Sequence, residues 1–371
     1  MTASEYDSVR PPEPAGRRRR GGNGGRGGRP AGADGTRPGG ADGAREAAMV
    51  PEVQFTSYYG RPVVKPVPWG PGIAAYLFLG GVAGGSAVLA AGAQLSGRLI
   101  LRRNCRLAAL GAVSVGAVAL VEDLGRPERF LNMLRVIKLT SPMSLGSWIL
   151  SAFSTGAAVA AAAEFDRMTG QRLPLGPLRP VLRFVESPAG LEAAAFGPLL
   201  AVYTAVLLAD TSTPTWNHAH DELPFVFVSS ASLASAGLAL VTTPVAEAAP
   251  ARRLAVLGVV GDLVATQVMH RRMDPVVAET LRDARPGTMR RLSEALAVGG
   301  GIGTLLGGRR RGVAAASGLA LLAASTLTRF GIFEAGIRSA KDPRYTIEPQ
   351  KRRLAARRAA GVTDDSITTG G

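Results

Sequence analysis

Between residues 72 and 334 the chain repeatedly strings together long apolar runs, each ended by charge, proline or glycine. A helix needs about 20 apolar residues to cross the hydrocarbon of a bilayer. The runs fall at 72–95, 106–121, 143–163, 189–209, 223–246, 253–270, 293–307 and 312–334, those at 106–121 and 293–307 being short. None shows the strict alternation of an outer-membrane strand, which excludes a barrel. The expected fold is an all-α integral membrane protein of the cell membrane with eight transmembrane helices.

The residues inside the runs fit lipid better than water. The chain has 371 residues, of which 47 are glycine, and only 5% are aromatic. Small side chains let helix backbones approach closely, which is what holds helices together where lipid removes the hydrophobic drive. LGGVAGGSAV (79–88) and VGGGIGTLLGG (298–308) therefore read as packing glycines. Neither carries the GK[ST] ending of a phosphate loop.

Outside the runs the texture is different. Residues 1–65 are rich in Gly, Arg and Pro, with too little apolar surface to offset the entropy of ordering, so a disordered tail is expected. No apolar segment follows the first Met closely, so this tail does not read as a cleaved signal peptide. The transmembrane domain is expected over 66–340 and a basic C-terminal tail over 341–371. The net charge of +15 sits largely in the tails. Attraction to anionic lipid explains it without nucleic acid. An even number of spans puts both termini on one face; basic residues in the loops vote for both faces, and the tails favour a cytoplasmic side.

One cysteine, Cys105, and three histidines, His218, His220 and His270, leave no ligand set for haem, an iron–sulfur cluster or another metal site.

Chemistry-bearing residues cluster at the ends of runs. VEDLGRPERFLNM (121–133) packs Glu122, Asp123, Arg126, Glu128 and Arg129 around Pro127. A helix beginning at Pro127 would place Phe130, Leu131, Met133, Leu134 and Ile137 on one face, with Glu128, Asn132 and Arg135 opposite. That describes a surface helix, after which Ser141 and Pro142 launch the third span. Asp123 and Arg126 either pair and cap, or Asp123 exchanges protons with a hydrophobic redox carrier. Asp262, deep in LAVLGVVGDLVATQVMH, is either a proton site or a protonated acid bonded to Thr266. Glu222, Asp210, Glu247 and Glu334 lie nearer span ends, where snorkelling or capping accounts for them. Tyr76 and Tyr203 offer an apolar body with one hydrogen bond, suited to a quinone carbonyl. His270 ends the sixth run and could donate to a ligand. Between the fourth and fifth runs, DTSTPTWNHAHDE carries no Lys or Arg, and Pro214 and Trp216 read as an interfacial turn.

DLGRPERFLNMLRVIKLTSPMSLGSWIL (123–150) resembles the signature loop and third helix of the NrfD/polysulfide reductase membrane-subunit family. YLFLGGVAGGSAVLAA (76–91), YTAVLLADTSTPTW (203–216) and ELPFVFVSSA (222–231) are similar to its first, fourth and fifth helices. The segment from TRFGIFEAG to QKRR is similar to its closing segment. The resemblance implies eight helices arranged as two four-helix bundles, serving as the membrane anchor of an oxidoreductase that exchanges electrons and protons with menaquinone or ubiquinone. It implies a ferredoxin-like iron–sulfur partner, often joined by a molybdopterin catalytic subunit of formate dehydrogenase or polysulfide reductase type, and no haem or cluster in this chain. It places Asp123 and Arg126 in the charged motif and Tyr203 in the fourth helix. The candidate proton carriers are Asp123, Glu222 and Asp262, the last on its depth in the sixth run and not on the resemblance. The candidate quinone pocket is Tyr76, Tyr203, Arg126 and His270. A proton-coupled secondary transporter built on Asp262, or a purely structural anchor, are the alternatives.

Overall fold

The computed structural model describes residues 62–123, 127–307 and 309–361. Among them the structure is 83% helix with no strand. In a bilayer that is the economical solution, because a helix satisfies its own backbone hydrogen bonds where no water can. The order is α1 Pro71–Leu95, α2 Leu99–Asp123, a 3₁₀ helix Pro127–Leu134, α3 Pro142–Met168, α4 Leu178–Ala209 and α5 Pro214–His218. It continues with α6 Leu223–Thr242, α7 Ala249–Arg272, α8 Pro275–Arg282, α9 Ala284–Gly307, α10 Arg311–Lys341 and α11 Arg344–Ala359.

Seven helices (α1, α2, α3, α4, α6, α7 and α10) are long and apolar enough to cross a membrane. The 24-residue α9 has the length, but its first half carries Arg285, Arg290, Arg291 and Glu294. The short runs at 106–121 and 293–307 thus sit inside longer helices whose polar ends the apolar pattern does not include. The run expected to reach 246 stops at Thr242 instead. Pro244 holds Thr243 extended, at φ −109° and ψ 139°, which ends α6. Within the expected C-terminal tail, α11 is anchored by Arg344 to Glu279 at 3.2 Å and by Arg352 to Asp274 at 3.1 Å.

Helix α1 runs among α2, α4, α6 and α10, and α10 packs on α6 and α9. Glycines set these approaches. A Cβ on Gly84 of α1 would overlap the carbonyl of Gly197 on α4, and one on Gly197 would meet the Gly84 carbonyl at 2.6 Å. Gly237 of α6 and Gly318 of α10 face each other in the same reciprocal way, at 2.6 and 2.5 Å.

At the end where α1 and α3 finish, charge ties four helices. Glu164 of α3 is 2% exposed and receives Arg102 Nε at 2.8 Å, Arg106 Nη1 at 3.0 Å and Arg167 Nη1 at 3.2 Å. Arg106 Nη2 donates to Gln94 Oε1 of α1 at 2.5 Å, and Glu186 of α4 pairs with both Arg106 and Arg167. Nearby, Glu247 Oε2 accepts from the backbone N–H groups of Ile100 and Leu101 at 2.8 and 3.0 Å, satisfying two donors at the start of α2.

Two stability predictions follow from these contacts. Gly84→Val forces α1 off α4 and costs about 1–3 kcal/mol. Gly92→Ala, where the added methyl meets nothing within 4 Å, is neutral or stabilising. Melting temperatures in detergent rank the two. Glu164→Gln leaves buried guanidinium groups short of a carboxylate and costs about 3–5 kcal/mol, part of which Glu164→Leu combined with Arg106→Met restores.

Candidate functional site

At the opposite end, α1 begins at Pro71 with the chain 67–70 leading into it. The Gly70 N–H donates to Asp123 Oδ1 at 2.9 Å, so the last residue of α2 supplies the acid at the start of α1. A negative side chain suits a helix N-terminus, where backbone N–H groups point outward unpaired. Any Cβ at residue 70 would lie 2.9 Å from that oxygen, which is why glycine is found there. Beyond Asp123 the 3₁₀ helix carries Phe130 and Met133 inward, half-buried, while Glu128, Asn132 and Arg135 stay exposed. Ser141 then caps α3, accepting from the Ser144 N–H at 3.4 Å.

These pieces surround a cavity of about 240 Å³, lined by Trp69, Tyr76, Asp123, Phe130, Met133 and Tyr203 among others. Tyr76 on α1 and Tyr203 on α4 hydrogen-bond to each other through their hydroxyls. The Tyr203 ring can reach that position because Gly146 of α3 lies against it, and a Cβ there would collide with the ring. Walls of Leu77, Leu120, Leu150 and Leu207 complete an apolar chamber with a phenol pair and a carboxylate. Such a chamber takes a flat, hydrophobic ligand that carries a few hydrogen-bonding oxygens.

Of the residues singled out from sequence, Tyr76, Tyr203 and Asp123 come together here. Arg126 lies outside the described residues, so its pairing with Asp123 is not described. Glu222 is elsewhere: its Oε1 accepts from Arg272 Nη1 at 3.1 Å at the start of α6. Nor does His270 join the tyrosines; with Asp262 it lines a separate cavity of about 30 Å³ between α7, α9 and α10. Asp262 Oδ1 has no hydrogen-bond partner, and the Thr266 carbonyl instead accepts from His270 Nδ1 at 2.9 Å.

Two further expectations are corrected. Trp216 is not an interfacial turn residue but fully buried. Its Nε1 donates to the Ile332 carbonyl at 2.9 Å, and its ring stacks on Trp69 at 5.9 Å and contacts Phe333 at 5.8 Å. The indole is drawn inward because Gly336 of α10 leaves the space it fills. The segment after Pro127 forms eight residues of 3₁₀ helix rather than an α-helix, and Ile137 falls beyond it, 59% exposed. Of the two readings of Glu247, capping holds, and the helix it caps is α2.

Sequence reasoning passed over Arg329 and the Arg106–Glu164 pair. Arg329 is fully buried in α10, donating to the Phe227 carbonyl at 2.5 Å and to Ser230 Oγ at 3.3 Å, with its guanidinium 3.8 Å over the Phe227 ring. A lone arginine inside the last apolar run was the available signal. Glu164 falls one residue past the third run, where a span end and a buried ion pair look alike in sequence.

An apolar helical bundle with a polar-ended chamber at one end defines a multi-pass membrane protein. Residues 63–270 match the family described as polysulphide reductase, NrfD, and the chain belongs to that family. Membership makes it a membrane subunit of a quinone-linked oxidoreductase complex, a family whose members typically partner with iron–sulfur and molybdoenzyme subunits. No curated protein adds a match to this one.

Trp216 buttresses the Trp69 wall of the chamber. Trp216→Ala therefore costs about 3–5 kcal/mol, read as a lowered melting temperature, and exposes Trp69 to a shift in its fluorescence.

Proposed function

We propose that the chamber between α1, α2, α3 and α4 is the site where this subunit exchanges electrons and protons between a membrane quinone, menaquinone or ubiquinone, and an iron–sulfur partner subunit. The observation that carries this reading is the Tyr76–Tyr203 hydroxyl pair facing one apolar cavity with Asp123 on its lining. When the pair opens, its hydroxyls are placed to bond the ring oxygens of a quinone head group, while Trp69, Phe130 and Met133 contact the ring faces. Asp123 is the carboxylate that takes the two quinol protons in turn, releasing each to water at the membrane surface before accepting the next, as two electrons leave for the partner's cluster. In the opposite direction it delivers two protons in turn as quinone is reduced. Its tie to Gly70 N–H holds the carboxylate in place. Glu222, paired with Arg272 at the start of α6 and outside the chamber lining, is the second candidate proton carrier.

In this reading α9 is the eighth span, its arginines lying at the membrane surface, and the eight long helices form two four-helix bundles. The catalytic reaction belongs to a molybdopterin partner of formate dehydrogenase or polysulfide reductase type, and this chain turns over only in that company. Against a purely structural anchor, the reading requires a ligand site in the chain itself.

The test uses the full chain in lipid nanodiscs with a quinone analogue, followed by tryptophan fluorescence. Binding is saturable, and Tyr203→Phe weakens it about tenfold, the worth of one hydrogen bond. In the assembled complex Asp123→Asn lowers quinone-linked turnover and spares activity with an artificial dye. Unaltered affinity when both tyrosines are Phe, or no binding at all, rejects the site.

A further inference from the structure

The small cavity between α7, α9 and α10 has its own chemistry. Asp262 and His270, 3% and 9% exposed, line it from α7, with Thr266; Arg290 and Glu294 line it from α9, and Thr328 from α10. Its volume of about 30 Å³ exceeds the roughly 10–15 Å³ that one water requires. Three polar atoms buried in this lining, Asp262 Oδ1, His270 Nε2 and Arg290 Nε, have no hydrogen-bond partner. An unpaired buried polar atom costs about 1–3 kcal/mol, and water is the usual remedy where a cavity is polar and large enough.

The histidine geometry sharpens this. Nδ1 faces the Thr266 carbonyl at 2.9 Å, and a carbonyl can only accept, so Nδ1 carries a proton. In the neutral ring Nε2 is then an acceptor. The charged groups acting on the pair come from every neighbouring helix: Arg290 and Glu294 on α9, Arg329 on α10 and, for His270, Arg282 on α8. Arg329 makes no ion pair with Asp262 within 4 Å; its Nη2 and Nε donate to the Phe227 carbonyl and Ser230 Oγ, and its Nη1 has no hydrogen-bond partner. Asp262 therefore lacks a tight counter-ion to fix it as a carboxylate. Glu294, paired with Arg290, has a side chain 35% exposed and is the lining carboxylate that reaches the surface.

We propose that this cavity is a hydrated proton-exchange site, in which water bridges Asp262 Oδ1 to His270 Nε2 and Glu294 opens it to the outside. The protonated Asp262 carboxyl gives its proton to the bridging water as that water gives one to Nε2, leaving a carboxylate and an imidazolium. Glu294 accepts the proton from the imidazolium through a second water, for which the cavity of about 30 Å³ has room, and the reverse steps reload Asp262. No electron moves and no quinone takes part, so the site stands or falls apart from the function proposed above.

Infrared difference spectroscopy on the full chain in nanodiscs, stepped through pH without quinone or partner, tests it. One carboxyl C=O band disappears in Asp262→Asn and shifts on transfer to D₂O. Should the Asn variant fail to fold, Asp262→Glu moves the band instead. Glu294→Gln keeps the band and slows its deuterium shift by on the order of a hundredfold, the contribution of one positioned proton-transfer group. A band that ignores D₂O, the absence of any Asp262-dependent band at every pH, or exchange unchanged in Glu294→Gln each overturns the proposal.

Discussion

Helix backbones that touch without side chains between them hold this molecule together. Lipid tails are as apolar as leucine, so burying leucine against leucine gains little inside a membrane. Close approach gains dispersion contacts instead, and it demands glycine where two helices cross. Gly84 against Gly197 brings α1 onto α4; Gly237 against Gly318 brings α6 onto α10. The first crossing lies in the helices that carry Tyr76 and Tyr203, so the hydroxyl contact between them depends on it. Gly146 extends the same logic to α3, where missing bulk lets the Tyr203 ring lie flat. The chamber is thus a product of what the helices lack.

Charge plays the complementary part at the two ends. Where α1 and α3 finish, Glu164 gathers three arginines and Glu186 shares two of them, so a net-basic cluster replaces apolar packing between α2, α3 and α4. Each ion there has a partner, as burial demands. At the other end charge is sparse and directional. Asp123 is turned toward a helix N-terminus, where its Oδ1 accepts from the Gly70 N–H. One end is locked by ion pairs, and the other is left adjustable.

Much of this was legible in the residues, and the gaps have physical causes. Apolar run length gave the long helices because desolvating the backbone is the dominant constraint. It gave their ends poorly, since an arginine such as Arg102 or Arg106 looks the same in sequence whether it faces water or a buried glutamate. Tyr76, Tyr203 and Asp123 could be named because each stands out against an oily background. Their convergence could not be deduced from pattern, as it depends on helix rotation fixed by the glycine crossings. His270 was misgrouped for that reason: being at a span end says nothing about which side of the bundle the ring faces. Trp216 misled because interfacial tryptophan is common, and only Gly336 on a distant helix explains why this one is buried.

The two cavities are kept apart by one apolar partition. Ile73, Leu77 and Leu208 line the tyrosine chamber, Met269, Leu281 and Ile332 line the aspartate cavity, and all six belong to a single buried cluster. The Trp69–Trp216–Phe333 stack runs through it, anchored by the indole bond to Ile332. A proton cannot cross such a wall without a chain of hydrogen-bonding groups, and Tyr76 and Tyr203 spend their hydroxyls on each other. The partition also follows the extent of the family match. Every residue lining the tyrosine chamber falls between 68 and 208, inside the matched segment 63–270. The aspartate cavity takes one wall from α7 and is closed by α9 and α10, beyond that segment. The matched segment therefore contains the first site whole, whereas the second draws on helices outside it.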